Sequence, residues 1–259
     1  MIQKYLNIFR YIFYLAWCRN KVRFIKTKLG SFWIGLSTLL TIASLAFIYS
    51  TVFQVENKRE YITYIGLGIL FWNTHAQMIS DFSTLLSRSR DRLLSTSITV
   101  IDIIAEEYLF SIQNLLISIF TIFPILFIIY PKLIVLVFSF KALLGILIYL
   151  ILILLNSVLL SIIGLFSADI FQLIPVLIQL SFLLSPILYL KKTLQGKEWV
   201  YQYNPLYLPI GIARDTIINS SNFNYSQLII ILLISLNFCF FIFRTIRKNA
   251  RKLNLYVDK

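Results

Sequence analysis

Charge is scarce in this chain. Asp, Glu, Lys and Arg make up 14% of its 259 residues, against 59% apolar residues, where soluble proteins carry about 25% charged and about 45–50% apolar. With a mean hydropathy of +0.82, the composition excludes an ordinary soluble domain, whose core has no room for so much Ile, Leu and Phe. Histidine occurs once and cysteine twice, so a Cys/His metal centre lacks ligands. Cys18 and Cys239 fall on the cytoplasmic side of the topology derived below, where a reducing compartment disfavours a disulfide. The sequence suggests no Ser-His-Asp or Cys-His set, and no enzymatic activity is expected of the chain alone. Its eight glycines never form G-x-x-x-x-G-K-[ST]; Gly196-Lys197 is followed by Glu198. If ATP drives this protein, another subunit binds it, and no cofactor is expected here.

What is present in quantity is long apolar runs. A helix needs roughly 20 apolar residues to cross a ~30 Å hydrocarbon layer, and six runs qualify: residues 31–53, 61–80, 108–130, 133–166, 171–190 and 227–243. A membrane barrel would need shorter strands that alternate polar with apolar residues. The expected fold is therefore all-α, one polytopic transmembrane domain over residues 1–259 with six spans. The fourth run exceeds one crossing, which predicts a tilt, a kink at Gly145 or an extension into the cytoplasm.

The basic residues set the orientation. Most of the 24 Lys and Arg lie in residues 1–29, around Arg88, Arg90 and Arg92, or in the 244–259 tail, which predicts that both termini are cytoplasmic. The +13 formal charge is then explained by insertion and by anionic lipid headgroups. A nucleic-acid partner is not expected, because the charges flank spans and form no continuous patch. Leu15-Ala16-Trp17-Cys18 superficially suggests a lipoprotein site, but Trp17 stands where a small residue is needed. On a helical wheel Ile2, Phe9, Ile12, Phe13, Ala16 and Trp17 share one half while Lys4, Asn7, Arg10 and Lys21 share the other. This predicts an amphipathic helix flat on the inner leaflet, as an anchor or a docking surface.

Polar residues inside the spans are few. His75, in Trp72-Asn73-Thr74-His75-Ala76-Gln77, reads as a satisfied helix contact or as part of a pore. Lys141 either snorkels outward or faces a water-filled cavity. Ser157, Ser161 and Gly164 form a small-residue stripe of the kind that packs helices. Asn156 is harder to dismiss, and Asp169 stands at an inner turn as a solvated carboxylate or a cap. Between the second and third spans, residues 81–107 combine Arg88, Arg90, Asp91 and Arg92 with an apolar face, Leu93, Leu94, Ile98 and Ile101, which suits a docked cytoplasmic helix. Beyond the fifth span, Pro205 and Pro209 break residues 201–218 into pieces too short to cross. The reading is a pair of segments dipping into the outer leaflet, with Trp199, Tyr201, Tyr203 and Tyr207 at headgroup level. Arg214 and Asp215 are adjacent, and adjacent helical residues diverge and need not pair.

Several stretches together resemble a known family. They are Arg23-Phe-Ile-Lys-Thr-Lys-Leu-Gly-Ser-Phe-Trp33, Gly68-Ile-Leu-Phe-Trp72-Asn73, Phe166 to Ile170, Ser185-Pro186-Ile187 and Asn204-Pro205-Leu206-Tyr207. In this order and spacing the chain is similar to the permease subunits of ABC transporters that export O-antigen, capsule or teichoic-acid polysaccharides. The resemblance implies a homodimer in the bacterial inner membrane with two ATPase subunits that hold ATP and Mg. It implies an undecaprenyl-linked polysaccharide as cargo, moved outward between the two permeases. ATPase coupling would involve Arg88, Arg90, Asp91, Arg92 and Asp169; the family usually has Arg-Asp where this chain has Ala168-Asp169. Candidate channel aromatics are Tyr49, Phe53, Tyr61 and Tyr64, together with Phe71, Trp72, Phe182 and Tyr189. The outer gate, within residues 191–225 and the preceding turn, would use Pro186, Trp199, Tyr203, Asn204, Pro205, Tyr207 and Arg214. A drug or lipid exporter of the same architecture is the nearest alternative, and a membrane-embedded glycolipid-processing enzyme a more distant one.

Overall fold

A computed structural model describes residues 2–218 apart from 54, 96–97, 167–168, 195, 198 and 203. The expected sixth span, Cys239 and the 244–259 tail lie outside the described residues. Those described are helical, with no strand among them. In chain order the helices are α1 (Ile2–Arg23), α2 (Phe32–Val52), α3 (Lys58–Ser83), α4 (Leu85–Arg88), α5 (Arg90–Ser95), α6 (Val100–Ile129), α7 (Leu133–Val137) and α8 (Phe140–Phe166). There follow α9 (Asp169–Leu184), a 3-10 turn at Lys191–Leu194, α10 (Trp199–Gln202) and α11 (Leu208–Ile218). Among the described residues three helices, Phe32–Val52, Val100–Ile129 and Phe140–Gly164, are long and apolar enough to cross a membrane, and the protein is membrane-embedded on that basis.

Helix α3 is the hub, packed against α2, α6, α8, α9 and α11. Ile65, Leu67 and Met78 are fully buried, so α3 is largely packed in protein and can hold His75, 1% exposed, where a lipid-facing helix would not. Its start is capped by Asn57, whose side chain accepts a hydrogen bond from the Glu60 amide. Helix α6 begins at Val100, earlier than the apolar run alone indicates. Thr99 and Asp102 form a capping box there, with Thr99 N donating to Asp102 Oδ2 at 2.9 Å and Asp102 N to Thr99 Oγ1 at 3.3 Å. That arrangement satisfies two amides no helical carbonyl can reach.

The long fourth run departs from expectation. Helix α8 runs unbroken through Gly145; the chain breaks at Phe138-Ser139 between α7 and α8, where Ser139 Oγ accepts from the Ala142 amide at 3.3 Å. Lys141 consequently stands in the first turn of α8 rather than several turns inside a span. Gly145 has another use: a Cβ there would lie 2.0 Å from Thr216 Oγ1, because α11 crosses α8 at this point. Gly35 serves in the same way where α2 crosses α6, since its Cβ would lie 1.8 Å from Thr121 Oγ1. The stripe on α8 packs as its composition indicates. Ser157 and Ser161 are buried, and a side chain at Gly164 would strike the Ser83 carbonyl.

Helix α1 lies along α6. Ile12, Ala16 and Asn20, one turn apart, are its buried face, while Phe9, Phe13 and Trp17 from the apolar half of the wheel are exposed. The apolar half is thus divided between protein and surroundings. Helix α9 has 16 residues, about 24 Å at helical rise and short of the ~30 Å layer. The non-helical stretch Ser185 to Leu190 follows α9 in the chain, and that stretch holds the candidate site.

Candidate functional site

The site is assembled on α3 by tyrosines at helical spacing. Tyr61 Oη donates to the Leu188 carbonyl at 2.5 Å. Tyr64 Oη, one turn on, lies 2.9 Å from the Pro186 carbonyl and 3.3 Å from that of Tyr189. Another turn along, Gly68 lets Ile187 and Arg214 approach, for a Cβ would stand 3.2 Å from Ile187 Cγ2 and 3.3 Å from Arg214 Nη1. One α3 face therefore receives Pro186 to Tyr189, whose carbonyls no regular helix satisfies.

Arg214 closes the site from α11. It is 0% exposed. Nη1 donates to the Pro186 carbonyl at 2.8 Å and Nη2 to Tyr207 Oη at 2.6 Å. The guanidinium carbon lies 3.8 Å from the centre of the Tyr64 ring, close enough for a desolvated cation–π contact. Nε is 3.5 Å from Asp215 Oδ1, within ion-pair range though without hydrogen-bond alignment. Asp215 also pairs with Lys191. The adjacency of Arg214 and Asp215 did not keep them apart: the Nε and carboxylate reach each other along the helix surface. A buried guanidinium is costly unless paired and hydrogen-bonded, and here a carbonyl, a hydroxyl, a carboxylate and a ring face converge on it.

The NPLY stretch forms the turn before α11. Asn204 Oδ1 accepts from the Leu206 amide at 3.1 Å, and Asn204 Nδ2 donates to Ser185 Oγ at 3.0 Å, so one asparagine shapes the turn and fastens it to the end of α9. Pro205 leaves its carbonyl to Asn156 Nδ2 at 3.3 Å. The Leu206 carbonyl meets His75 Nδ1 at 3.1 Å, which assigns the ring proton to Nδ1, and Asn156 Nδ2 is 3.5 Å from Nε2. His75 is a satisfied contact, and Asn156 is its neighbour. His75 stands seventeen positions from Lys58 on α3, about 25 Å along the helix, and Asn156 sixteen from Phe140 on α8, about 24 Å. The Pro205–Leu206 turn thus reaches deep alongside both helices. Tyr207 is enclosed by protein, 2% exposed, and stacks edge-on with Tyr201 at 5.9 Å.

Of the gate candidates, Pro186, Asn204, Pro205, Tyr207 and Arg214 come together here. Trp199 stands apart, exposed on α10, and Tyr203 lies outside the described residues. The channel candidates divide. Tyr61, Tyr64, Phe71 and Trp72 are buried inside the single chain, where Phe71 packs on Tyr149 at 4.9 Å and Trp72 on Phe182 at 5.4 Å. Phe53 is exposed, Tyr49 stacks on it at 5.7 Å, and Tyr49, Phe182 and Tyr189 are half-buried. Only these four retain surface on one copy.

The coupling candidates lie at the other end of α3. Arg88 Nη2 and Arg19 Nη1 each lie 2.6 Å from Glu107 Oε2, and Glu107 is 2% exposed. Arg19 Nη2 adds a contact to Oε1 at 3.1 Å and its guanidinium covers the Phe110 ring at 4.1 Å. Arg92 pairs with Glu106 at 2.8 Å, and Gln113 Oε1 accepts from Asn20 at 3.2 Å. Burial, and next the Glu107 carboxylate, push the Asp81 carboxyl above its ordinary value against the pull of Arg88, Arg19 and Arg23. Arg90 and Asp91 lie on α5, while Asp169 is in the exposed first turn of α9. Sequence reading missed Arg19, Glu106 and Glu107 as one unit. The signal was there in a carboxylate next to a 20-residue apolar run, which needs a cation close by.

No protein-family model matches this chain, and no curated protein matches it in sequence.

Proposed function

We propose that this chain is the permease subunit of an ATP-driven exporter of lipid-linked polysaccharide, of the O-antigen, capsule or teichoic-acid kind. One observation carries the reading. Three family-like stretches distant in sequence, Gly68 to Asn73, Ser185 to Ile187 and Asn204 to Tyr207, converge on one buried arginine, as parts of a single device should. In this reading the chain has six spans, both termini face the cytoplasm of a bacterial cell, and Ser185 to Ile218 is the outer re-entrant gate. Two copies form the conduit, with Tyr49, Phe53, Phe182 and Tyr189 the aromatics free to face it.

Two ATPase subunits carrying ATP and Mg would bear on α1 and on the α4–α5 segment, whose arginines meet α6 at Glu107. Closure of those subunits would be felt at α6 and α3, and the turn held by Arg214 would open outward. The test is co-expression with the ATPase encoded beside this chain, purification, and hydrolysis assays with and without an undecaprenyl-linked glycan. A two-plus-two complex whose hydrolysis responds to the glycan is the expected result. Absence of any complex removes the partnership on which the proposal depends.

A further inference from the structure

We infer that Arg88 and Arg19 hold the phosphate of an anionic phospholipid, in a site that the Glu107 cluster leaves half built. Both guanidiniums meet one carboxylate oxygen, Glu107 Oε2, at 2.6 Å, so two cations share one anion. Asp81, a second carboxyl beside them, is pushed by burial toward its neutral form, and Arg23 adds a further positive charge within range. The cluster therefore carries an excess of positive charge. Arg19 spends both Nη atoms on Glu107. Arg88 spends only Nη2, which leaves the three N–H groups of its Nε and Nη1 without a partner among the described residues. The Arg88 and Arg19 side chains are 39% and 36% exposed, so the unused fork is open to a ligand from outside, and a planar fork of donors suits a phosphate.

Depth selects a lipid phosphate. Glu107 stands twenty-two positions before Ile129 on α6, about 33 Å at helical rise, so a ~30 Å hydrocarbon layer measured from Ile129 ends just short of the cluster. That is the level of the headgroups. The neighbouring surface agrees. Seven Lys and Arg precede the first carboxylate, Glu56, and on α1 cations and rings share a face: Lys21 Nζ lies 5.7 Å from the Trp17 ring centre, and Phe9, Phe13 and Trp17 are exposed. A free anion has no use for those rings, whereas a lipid sets its acyl chains against them and its phosphate against the arginines. The inference does not depend on the export reading, since any membrane-embedded chain meets lipid.

The test is thermal melting of the full chain in nanodiscs of phosphatidylcholine, with and without added phosphatidylglycerol, followed by tryptophan fluorescence. Phosphatidylglycerol should raise the melting temperature. In Arg88→Gln that rise should be several-fold smaller, while Lys26→Gln, which removes an exposed charge from the same end of the chain, should keep it. Glu107→Gln takes away the anion that competes with the phosphate, so the rise should grow even though the protein in phosphatidylcholine alone is less stable; arginines that only clasp α1 and α4 to α6 predict no growth. Four results overturn the inference. They are no rise with phosphatidylglycerol, which leaves the guanidiniums to carboxylates of a protein partner; equal losses of the rise in Arg88→Gln and Lys26→Gln, the mark of diffuse attraction; an unchanged or smaller rise in Glu107→Gln; and the same rise from inorganic phosphate in phosphatidylcholine discs, the mark of a free-anion site. Should Arg88→Gln fail to fold, Glu107→Gln against the unaltered protein decides.

Discussion

Removing the Arg214 guanidinium should loosen the whole segment from Pro186 to Asp215. In Arg214→Met the side-chain length is nearly kept while the charge, both hydrogen bonds and the cation–π contact go. The bonds to the Pro186 carbonyl and Tyr207 hydroxyl, at 2.8 and 2.6 Å, are charge-assisted, and such bonds contribute about 1.5–3 kcal/mol each. The Tyr64 face adds about 2 kcal/mol where water is excluded. These are not additive: Pro186 keeps Tyr64 as a donor, and the cost of burying the guanidinium disappears with it. The nearest precedent is breaking a buried ion pair by removing one partner, about 3–5 kcal/mol. For a chain of this length a kcal/mol shifts the melting temperature by about 2–4 °C, so Arg214→Met should melt ~6–20 °C lower. Arg214→Lys, which keeps the charge but not the fork, should fall between. Adding Asp215→Asn to Arg214→Met should recover none of the loss, since the carboxylate still has Lys191 as its partner. The assay is intrinsic tryptophan fluorescence during heating in nanodiscs. If Arg214→Met melts within about 2 °C of the unaltered protein, the segment is held by something other than this arginine.

Four further outcomes follow from the same geometry. Glu107→Gln should cost about 1–3 kcal/mol, at the lower end because Arg19 and Arg88 are 36% and 39% exposed and can rehydrate; cross-linking of α1 to α6 should weaken in parallel. Gly145→Val should cost about 1–3 kcal/mol by overpacking against Thr216, and Thr216→Gly in the same chain should return a good part of it on a thermal melt. Asn156→Leu should strip the Pro205 carbonyl of its donor, cost about 1–3 kcal/mol, and raise protease cleavage near Pro205 relative to the rest of the chain. Asp81 has a folded-state pKa raised above its unfolded value, so protonation favours the fold: stability should rise as pH falls through the raised value and level off below the ordinary one. Asp81→Asn should therefore stabilise at neutral pH and make no difference in acid, a pH dependence that pH-resolved melts read directly.

The long helices were legible where hydrophobicity alone decides structure, and three of them, α2, α6 and α8, are long and apolar enough to cross a membrane. The cores of α2, α3, α6 and α8 fall inside the runs at 31–53, 61–80, 108–130 and 133–166, because only a helix satisfies its own backbone in hydrocarbon. What escaped was decided by short polar signals inside or beside those runs. The break at Phe138-Ser139 sits in a largely apolar run, and one serine capping α8 marks it. The true start of α6 was encoded in Thr99-x-x-Asp102, eight residues before the run assigned to it. The site was half legible: Pro186, Asn204, Tyr207 and Arg214 were grouped by the resemblance, not by any period. By residue type Tyr61 and Tyr64 fit a conduit as readily as a core, and their partners are carbonyls more than 120 positions away. No local pattern encodes such a contact. The pairing of Arg214 with Asp215 was missed because helix geometry separates neighbouring Cα–Cβ directions but not the far ends of long side chains.

The way the Ser185 to Leu206 stretch is held bears on what it can do. In a spanning helix each carbonyl accepts from the amide four residues on, and releasing one means unwinding a turn. Here the carbonyls of Pro186, Leu188, Pro205 and Leu206 accept instead from Arg214, Tyr64, Tyr61, Asn156 and His75. Those donors stand on α3, α8 and α11, so the stretch can let go by sliding against the helices rather than by melting. In the proposed export reading, water entering from the outer side would take over the neutral carbonyl contacts once the charged one has yielded. The arginine is the exception, because its charge has to move with a partner or be solvated at once. A segment fastened by several replaceable neutral bonds and one charged one should remain closed until the charged contact yields, and then open as a unit. Arg214→Lys tests that order of events: it keeps the charge while reducing the number of bonds, so it should lower the barrier to opening without leaving the segment permanently open, whereas Arg214→Met should leave it open at rest. Cysteine labelling at position 206 from the outer side should then be slow in the unaltered protein, faster in Arg214→Lys and fastest in Arg214→Met; equal labelling in all three would break the link between the arginine and the closed state.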